Sequence, residues 1–176
     1  MTFYQVSRQI GIDAGHRVLT HGSKCRHLHG HRYTIEATCA ADHLQGAGEQ
    51  SDMVLDFGFL KDGMMAEIDA PCDHGFLAFV DDAELLAMFR PDGTDAAAWT
   101  GQIRQAVQQN GFCQTTDTRM NTKLYVLDVN PTAEQLARHW FRRLKPVVKG
   151  RSAGLASLLS ITVWETPNCR AVYSES

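Results

Sequence analysis

Residues 32–41 alternate between apolar and polar side chains, and this pattern constrains the fold more than any other feature of the chain. The apolar positions are Tyr33, Ile35, Ala37 and Cys39. The polar positions between them are Thr34, Glu36 and Thr38. Because successive side chains of a β-strand point to opposite faces, the pattern predicts a strand with one buried face. Residues 3–12 alternate in the same way, although Arg8 interrupts their apolar face, and they predict a second strand.

The remainder of the chain outside residues 80–125 predicts two helices followed by two strands. Asp56 can cap a first helix whose apolar residues recur at every fourth position. These residues are Leu60, Met64 and Ile68. The alternating residues 157–166 predict the third strand, with Leu159, Ile161 and Val163 on its buried face. A turn and a short fourth strand through Val172 and Tyr173 follow.

The second helix begins within residues 130–135, and two N-caps fit the sequence. One is Asn130 with Pro131 at the first helical position, and the other is Thr132 with Gln135 as a capping box. Its apolar stripe consists of Leu136, Trp140 and Leu144. We expect Pro146 to end the helix, because proline lacks the N–H that continues it.

Residues 80–125 do not fit this β-β-α-α-β-β order, and we interpret them as an insertion of mostly helical character. Two helical segments precede Asn110 and Gly111, which are typical of a helix C-terminus. One more strand is predicted after them, in residues 122–129. The chain therefore predicts an α+β fold formed by a single domain over residues 1–176 that carries this insertion.

The overall composition excludes several classes of function. The chain has 17 Lys and Arg against 20 Asp and Glu, a net charge of −3 that argues against a non-specific nucleic-acid binder. We see neither an apolar run of about 18 residues, which a membrane span requires, nor the apolar block of a signal peptide. The five cysteines are scattered and include no C-x-x-C, which favours reduced thiols and a cytoplasmic protein.

Five of the eight histidines lie between residues 13 and 31. His29 and His31 are two positions apart and continue the buried face of the strand that contains Tyr33. His16 has the parity of the apolar residues Ile10 and Ile12 in the first strand. If the two strands are antiparallel neighbours, the three imidazoles meet. Three histidines with an open fourth position are typical of a catalytic zinc, so we predict a Zn²⁺ ion here.

Five segments, in chain order, are typical of one known family. They are GHR…KCRHLHGHRYTIEA, MVLDFGFLK, DHGFL, NPTAEQLA and VWET…Y. Through them, residues 3–79 and 127–173 resemble the 6-pyruvoyl-tetrahydropterin synthase and 6-carboxytetrahydropterin synthase family. The resemblance implies the tunnelling fold, a four-stranded antiparallel sheet with two helices on one face. It also implies a homo-oligomer, a hexamer or a tetramer, whose subunits join edge to edge with active sites at their contacts.

The resemblance implies a role for each residue of the site. Zinc would be held by the histidines already identified, namely His16, His29 and His31. Cys25 would be the proton acceptor, activated by the adjacent pair Asp73 and His74. The alternative for Cys25 is a small buried side chain, which its charged neighbours Lys24 and Arg26 disfavour. Asp73 and His74 can act together only if they lie in a turn.

Two further residues are implied to bind the pterin ring. Glu165 would accept hydrogen bonds from the amino-pyrimidine edge, in its own subunit or beside a neighbour's metal; an exposed strand glutamate is the alternative. Thr132 would contribute to the same pocket, although capping its helix explains it equally well. For the phosphates, the sequence offers four basic residues without ranking them: Arg17, Lys24, Arg26 and Arg32.

The implied substrate is 7,8-dihydroneopterin triphosphate. Cys25 and His29 are separated by three residues, as in the branch that forms 6-carboxy-5,6,7,8-tetrahydropterin on the route to queuosine. We therefore expect a zinc-dependent lyase of that branch. The alternatives are a 6-pyruvoyl-tetrahydropterin synthase, a hydrolase acting on a similar ring, and a non-catalytic zinc-binding oligomer. The insertion could cover the pocket, change the substrate or mediate assembly.

Overall fold

The structure is a computed structural model that describes residues 3–175. Its seven strands are β1 (Tyr4–His16), β2 (His29–Ala41), β3 (Gly75–Phe79), β4 (Phe112–Thr115), β5 (Lys123–Leu127), β6 (Ser157–Thr166) and β7 (Cys169–Ser174). Its α-helices are α1 (Phe57–Met64), α2 (Ala70–Cys72), α3 (Ala83–Phe89), α4 (Ala96–Asn110) and α5 (Ala133–Arg151). A π-helical turn, Met65–Asp69, joins α1 to α2, and single 3₁₀ turns lie at Lys24–Arg26 and Arg119–Asn121.

All seven strands form one mixed sheet in the order β4-β5-β3-β1-β2-β6-β7. The expected antiparallel four-stranded sheet is present as β1-β2-β6-β7. The expected number was nevertheless wrong, because β3, β5 and β4 extend the sheet beyond β1. β3 runs parallel to β1 and pairs only with its last three residues, Ala14–His16. Most of the outer edge of β1 therefore has no partner strand among residues 3–175.

The alternation predicted for the first two strands is confirmed. Tyr33 and Ile35 of β2 and Ile12 of β1 are fully buried in the main core. The prediction for β6 was wrong at Leu159, because a register shift opposite Thr38 and Cys39 makes Leu158 the core residue instead. Such a bulge is determined by the partner strand, and the sequence of β6 alone does not reveal it.

Two helices cover the core face of the sheet, as expected. In α1 the Asp56 carboxylate caps the helix by accepting hydrogen bonds from the backbone N–H groups of Gly58 (2.7 Å) and Phe59 (3.1 Å). Thr132, not Asn130, caps α5, since its hydroxyl oxygen accepts from the N–H of Gln135 (3.4 Å).

The expected end of α5 at Pro146 was wrong, since the helix continues to Arg151. Pro146 lies on the exposed side of the helix, whereas Val148, one turn beyond Leu144, is buried in the core. Burial of this further turn offsets the hydrogen bond that the proline cannot donate.

The insertion forms a second apolar layer on the opposite face of the sheet. Leu77 of β3 and Tyr125 of β5 point into the main core. The alternate residues Ala78 and Val126 point the other way and pack with α3 and α4, whose largest buried residue is Trp99. The helices of the insertion are therefore anchored on two strands that also serve the main core. In the described part of the chain, no helix combines the length and apolarity needed to cross a membrane.

Candidate metal centre and active site

Three histidines converge where β1 ends and β2 begins. The antiparallel register places His16 directly opposite His29, and His31 follows two residues later on the same face. The ring centroid of His16 lies 4.4 Å from that of His29 and 5.1 Å from that of His31. One nitrogen from each ring lies within 4.8 Å of the other two. The predicted set of three is thus brought together within a single chain.

Hydrogen bonds to backbone carbonyls fix the orientation of two of these rings. His16 Nδ1 donates to the carbonyl oxygen of Pro131 and His29 Nδ1 donates to that of His27, each over 2.8 Å. In a neutral imidazole this leaves the Nε2 lone pair free. His16 Nε2 is buried and has no hydrogen-bond partner in the structure. A buried nitrogen without a partner is costly, and a metal ion is one ligand that satisfies it.

The surroundings of His16 and His31 also favour the neutral imidazole, which is the form that binds metals. Burial lowers the pKa of His16 to about 4; the bond to Pro131 opposes this change, and the other two histidines reinforce it. Burial lowers the pKa of His31 as well, although the charge of Glu165 acts in the opposite direction. Metal ligands must be deprotonated, so these residues fit a divalent cation. Three nitrogen donors with room for a fourth ligand are a common arrangement for zinc.

A cavity of about 300 Å³ opens beside this cluster. Its lining includes four of the residues expected at the site, namely His16, Cys25, Thr132 and Glu165. Cys25 belongs to the 3₁₀ turn Lys24–Arg26, and its carbonyl accepts a hydrogen bond from Val18 N (2.7 Å). This bond ties the turn to the residues that follow β1.

A β-bulge places Glu165 at the cavity. Trp164 pairs with Arg170, and Thr166 pairs with Cys169, so Glu165 is the extra residue of β6. Bulges of this kind redirect a side chain and are frequent beside active sites. Glu165 consequently lies beside the histidines of its own chain, close enough to influence the pKa of His31.

The sequence interpretation treated Tyr33 only as a core residue, but it also forms the floor of the histidine cluster. Its ring centroid lies 5.4 Å from that of His31 and 5.8 Å from that of His16. Its hydroxyl is buried and lacks a hydrogen-bond partner, and burial raises its pKa far above the ordinary value. The sequence contained a signal for this position, because Tyr33 has the same strand parity as His29 and His31 and so lies on the same face of β2.

Asp73 and His74 occupy the expected turn, but they do not line the cavity that Cys25 of the same chain lines. His74 has a left-handed backbone (φ 54°), and its Nδ1 lies 2.8 Å from Asp73 Oδ2. The other oxygen of Asp73 accepts from Asp13 N (2.8 Å). Burial raises the pKa of Asp73, but these hydrogen bonds outweigh it and lower the value. The His74 side chain is 77% exposed, and neither residue lines the cavity.

An ion pair connects the insertion to the end of the strand that carries His16. Arg17, which directly follows His16, donates two hydrogen bonds to the carboxylate of Asp82, one of them from Nε over 2.6 Å. Asp82 also caps α3 by accepting from Leu85 N (3.1 Å). Its side chain is only 2% exposed. Arg17 therefore forms an ion pair with Asp82, and Arg32 forms an ion pair with Asp13.

The chain belongs to the 6-pyruvoyl tetrahydropterin synthase family, whose sequence pattern matches residues 5–176. It is 34% identical over 163 residues to a Rickettsia bellii protein named 6-carboxy-5,6,7,8-tetrahydropterin synthase, covering 93% of this chain and 94% of the relative. A Haemophilus influenzae protein of the same name is 28% identical over 172 residues, covering 98% of this chain and 99% of the relative.

Solved structures confirm the fold. The chain superposes on the 6-pyruvoyltetrahydropterin synthase of Plasmodium vivax with a TM-score of 0.61 and 16% identity, covering 99% of both chains. An uncharacterised protein of Wolinella succinogenes gives a TM-score of 0.73 at 20% identity, covering 100% of both chains. The match to the Rickettsia bellii protein leaves out only 7% of this chain, so most of the insertion lies within it.

Proposed function

We propose that this protein is a zinc-dependent 6-carboxy-5,6,7,8-tetrahydropterin synthase. It would convert 7,8-dihydroneopterin triphosphate and water into 6-carboxytetrahydropterin, acetaldehyde and triphosphate. The observation that carries the proposal is the cluster of three histidines, with a buried unpartnered Nε2 on His16, beside a cavity lined by Cys25 and Glu165. The short Cys25–His29 spacing and the names of the relatives support this branch of the family.

His16, His29 and His31 would hold the zinc ion through their Nε2 atoms or, for His31, either ring nitrogen. When bound, zinc supplies a Lewis acid that polarises the oxygen atoms of the substrate's side chain. The carbonyl groups of Pro131 and His27 keep two of the rings in the tautomer that this requires.

Cys25 would remove and return protons on the side chain of the pterin. A free thiol is mostly protonated at neutral pH, so it needs a nearby base to act as a proton acceptor. Glu165 would hold the amino-pyrimidine edge of the ring through two hydrogen bonds, a geometry that selects the pterin. Thr132 lines the same cavity while capping α5, so both of its expected roles are compatible.

The base for Cys25 would come from a second copy of the chain. Asp73 and His74 form a hydrogen-bonded pair that is exposed and lies outside the cavity of its own subunit. Both β7 and most of β1 have an open outer edge among the described residues, and open edges favour pairing between chains. A homo-oligomer, a hexamer or a tetramer, would cover these edges and complete the site. The five cysteines are free, which suits the reducing cytoplasm.

The reaction is tested with zinc-loaded protein and 7,8-dihydroneopterin triphosphate. We expect one acetaldehyde and one triphosphate for each pterin consumed. Release of triphosphate with a pyruvoyl product and no acetaldehyde would move the protein to the sister branch. Cys25→Ala should abolish turnover while retaining zinc, and a fully active Cys25→Ala variant would refute its role. Retained zinc without turnover of any pterin triphosphate would indicate a non-catalytic metal-binding protein.

Metal analysis tests the ligand set. His29→Ala should lose zinc, whereas His27→Ala should keep it, because only the backbone carbonyl of His27 takes part in the site. Zinc-free wild-type protein after expression in zinc-rich medium would contradict the central claim.

Complementation tests the shared site. Inactive Cys25→Ala and His74→Ala subunits, unfolded together and reassembled, should regain part of the wild-type activity, because some sites then combine an intact Cys25 with an intact His74. Reassembly of each variant alone is the control. If the mixed oligomers form but stay inactive, the two residues do not act across a subunit contact.

A further inference from the structure

A second cavity lies on the other side of the first turns of α5, between that helix and the end of the insertion. It measures about 260 Å³. The polar residues of its lining include Asp128, Gln135, Arg138, His139, Arg142 and Arg143. None of its lining residues also lines the cavity of the histidine cluster. The two cavities are therefore separate sites.

The charges in this cavity are unbalanced. The lining contains three arginines and one acidic residue, Asp128. Arg143 has other partners, since it forms an ion pair with Glu67 and lies 4.3 Å above the ring of Phe112. Arg138 and Arg142 form no ion pair with any other residue in the range 3–175. The cavity thus has two arginines without an ion-pair partner, although Lys145 and Arg142 together lower the pKa of the nearby Glu175 carboxyl.

Helix geometry brings those two charges together. Arg138 and Arg142 are four residues apart in α5, so their side chains are neighbours on one face of the helix. Like charges at this spacing destabilise a helix, and an anion held between them would remove the repulsion. Guanidinium groups also match the geometry of phosphate oxygens, to which they can donate paired hydrogen bonds.

The remaining polar groups add no charge to the cavity. The hydroxyl of Tyr125 and Nε2 of His139 are joined over 2.7 Å. Burial, together with Arg143 and Arg142, lowers the pKa of His139 to about 4, so the imidazole is neutral at pH 7. Gln135 adds an amide that can donate. The volume falls just under the range of roughly 300 to 1,000 Å³ typical of drug-sized ligands, which favours a phosphate or a short polyphosphate.

We propose that this cavity is a binding site for a phosphate-bearing anion, held by Arg138 and Arg142. The anion is either a separate phosphate compound or the triphosphate group of a substrate molecule. Guanidinium groups would bind both through phosphate oxygens, and the kinetic measurements described below distinguish the two. The proposal does not depend on the function proposed above, because binding is measured without turnover.

The test compares two double variants of the same helix. Arg138→Gln/Arg142→Gln removes the two arginine charges. Lys145→Gln/Lys149→Gln removes two charges at the same four-residue spacing outside the cavity, together with the exposed Lys145–Glu175 ion pair. Isothermal titration of the zinc-loaded protein at constant ionic strength uses inorganic phosphate and inorganic triphosphate. We expect the control to match the wild type and the cavity variant to bind at least about tenfold more weakly. The single variants should fall between, and unchanged thermal midpoints would show that both proteins are folded.

Equal affinities in the cavity variant and the lysine control would overturn the proposal. So would binding by the wild type that disappears in His29→Ala but not in the arginine variant, since that result places the anion at the metal. In steady-state kinetics, a raised KM for the pterin triphosphate in the arginine variant identifies the substrate as the source of the anion. An unchanged KM with weakened binding of inorganic phosphate identifies a separate ligand.

Discussion

Arg17 and Asp82 form the contact through which the insertion should affect the strand that carries His16, and replacing Asp82 measures the strength of this contact. Two carboxylates face the Arg17 guanidinium in different surroundings. Asp82 is 2% exposed and accepts two hydrogen bonds from Arg17, whereas Glu84 is 89% exposed and approaches Arg17 to 3.5 Å. Arg17 itself is only 17% exposed. Water therefore compensates poorly for the loss of Asp82, but it readily compensates for the loss of Glu84.

The magnitudes follow from this burial. Removing one partner of a buried ion pair costs about 3 to 5 kcal/mol, and the partial exposure of Arg17 points to the lower end, about 3 kcal/mol for Asp82→Asn. An exposed pair contributes about 0.5 kcal/mol or less, which is the expectation for Glu84→Gln. Asn can still cap α3, so Asp82→Ala, which also loses the bond to Leu85 N, should cost about 1 kcal/mol more.

Urea unfolding of the metal-free protein, followed by circular dichroism, gives the three free energies. Zinc titration gives a second readout, because Arg17 adjoins His16: Asp82→Asn should weaken zinc binding, and Glu84→Gln should not. If Asp82→Asn and Glu84→Gln agree within about 0.5 kcal/mol, the buried pair is not a significant source of stability and the reasoning fails.

Three further predictions concern single positions. A Cβ on Gly15 would lie 2.6 Å from the ring of Phe76, so Gly15→Ala should lower the free energy of unfolding, measured by chemical denaturation, by about 1 to 3 kcal/mol. The control is Gly22→Ala, whose Cβ would have no atom within 4 Å and which should lower it far less. Tyr33→Phe removes a buried hydroxyl that has no partner, so the metal-free protein should not lose stability; a loss above about 1 kcal/mol would reveal a hidden hydrogen bond. The lowered pKa of His139, about 4, means that the unfolded chain takes up its proton first as the pH falls below 6.5. Stability is then lost by up to about 1.4 kcal/mol per pH unit, so the difference between wild type and His139→Gln should shrink by about 1.6 kcal/mol between pH 6.5 and 5. A constant difference would contradict the assignment.

The sequence was sufficient to predict the cluster of three histidines, because the information that the prediction needs is local. Parity within each strand determines which side His16 and His31 face, and a simple antiparallel pairing of two long strands brings those sides together. The bulges at Leu159 and Glu165 escaped prediction because they depend on the register of the neighbouring strand. Pro146 misled the prediction for α5 because a local breaker was outweighed by the burial of Val148 beyond it.

The same contrast applies to the insertion, for which the sequence left three roles open. The two ends of the insertion contact different parts of the chain. Asp82, at its start, binds Arg17 beside His16, while Asn110 and Gly111, at the end of α4, contribute to the wall of the arginine cavity. None of its residues lines the cavity of the histidine cluster. Within one chain, therefore, the insertion reaches the histidine cluster only through Arg17, the residue after His16, and covering the pocket would require the insertion of another subunit.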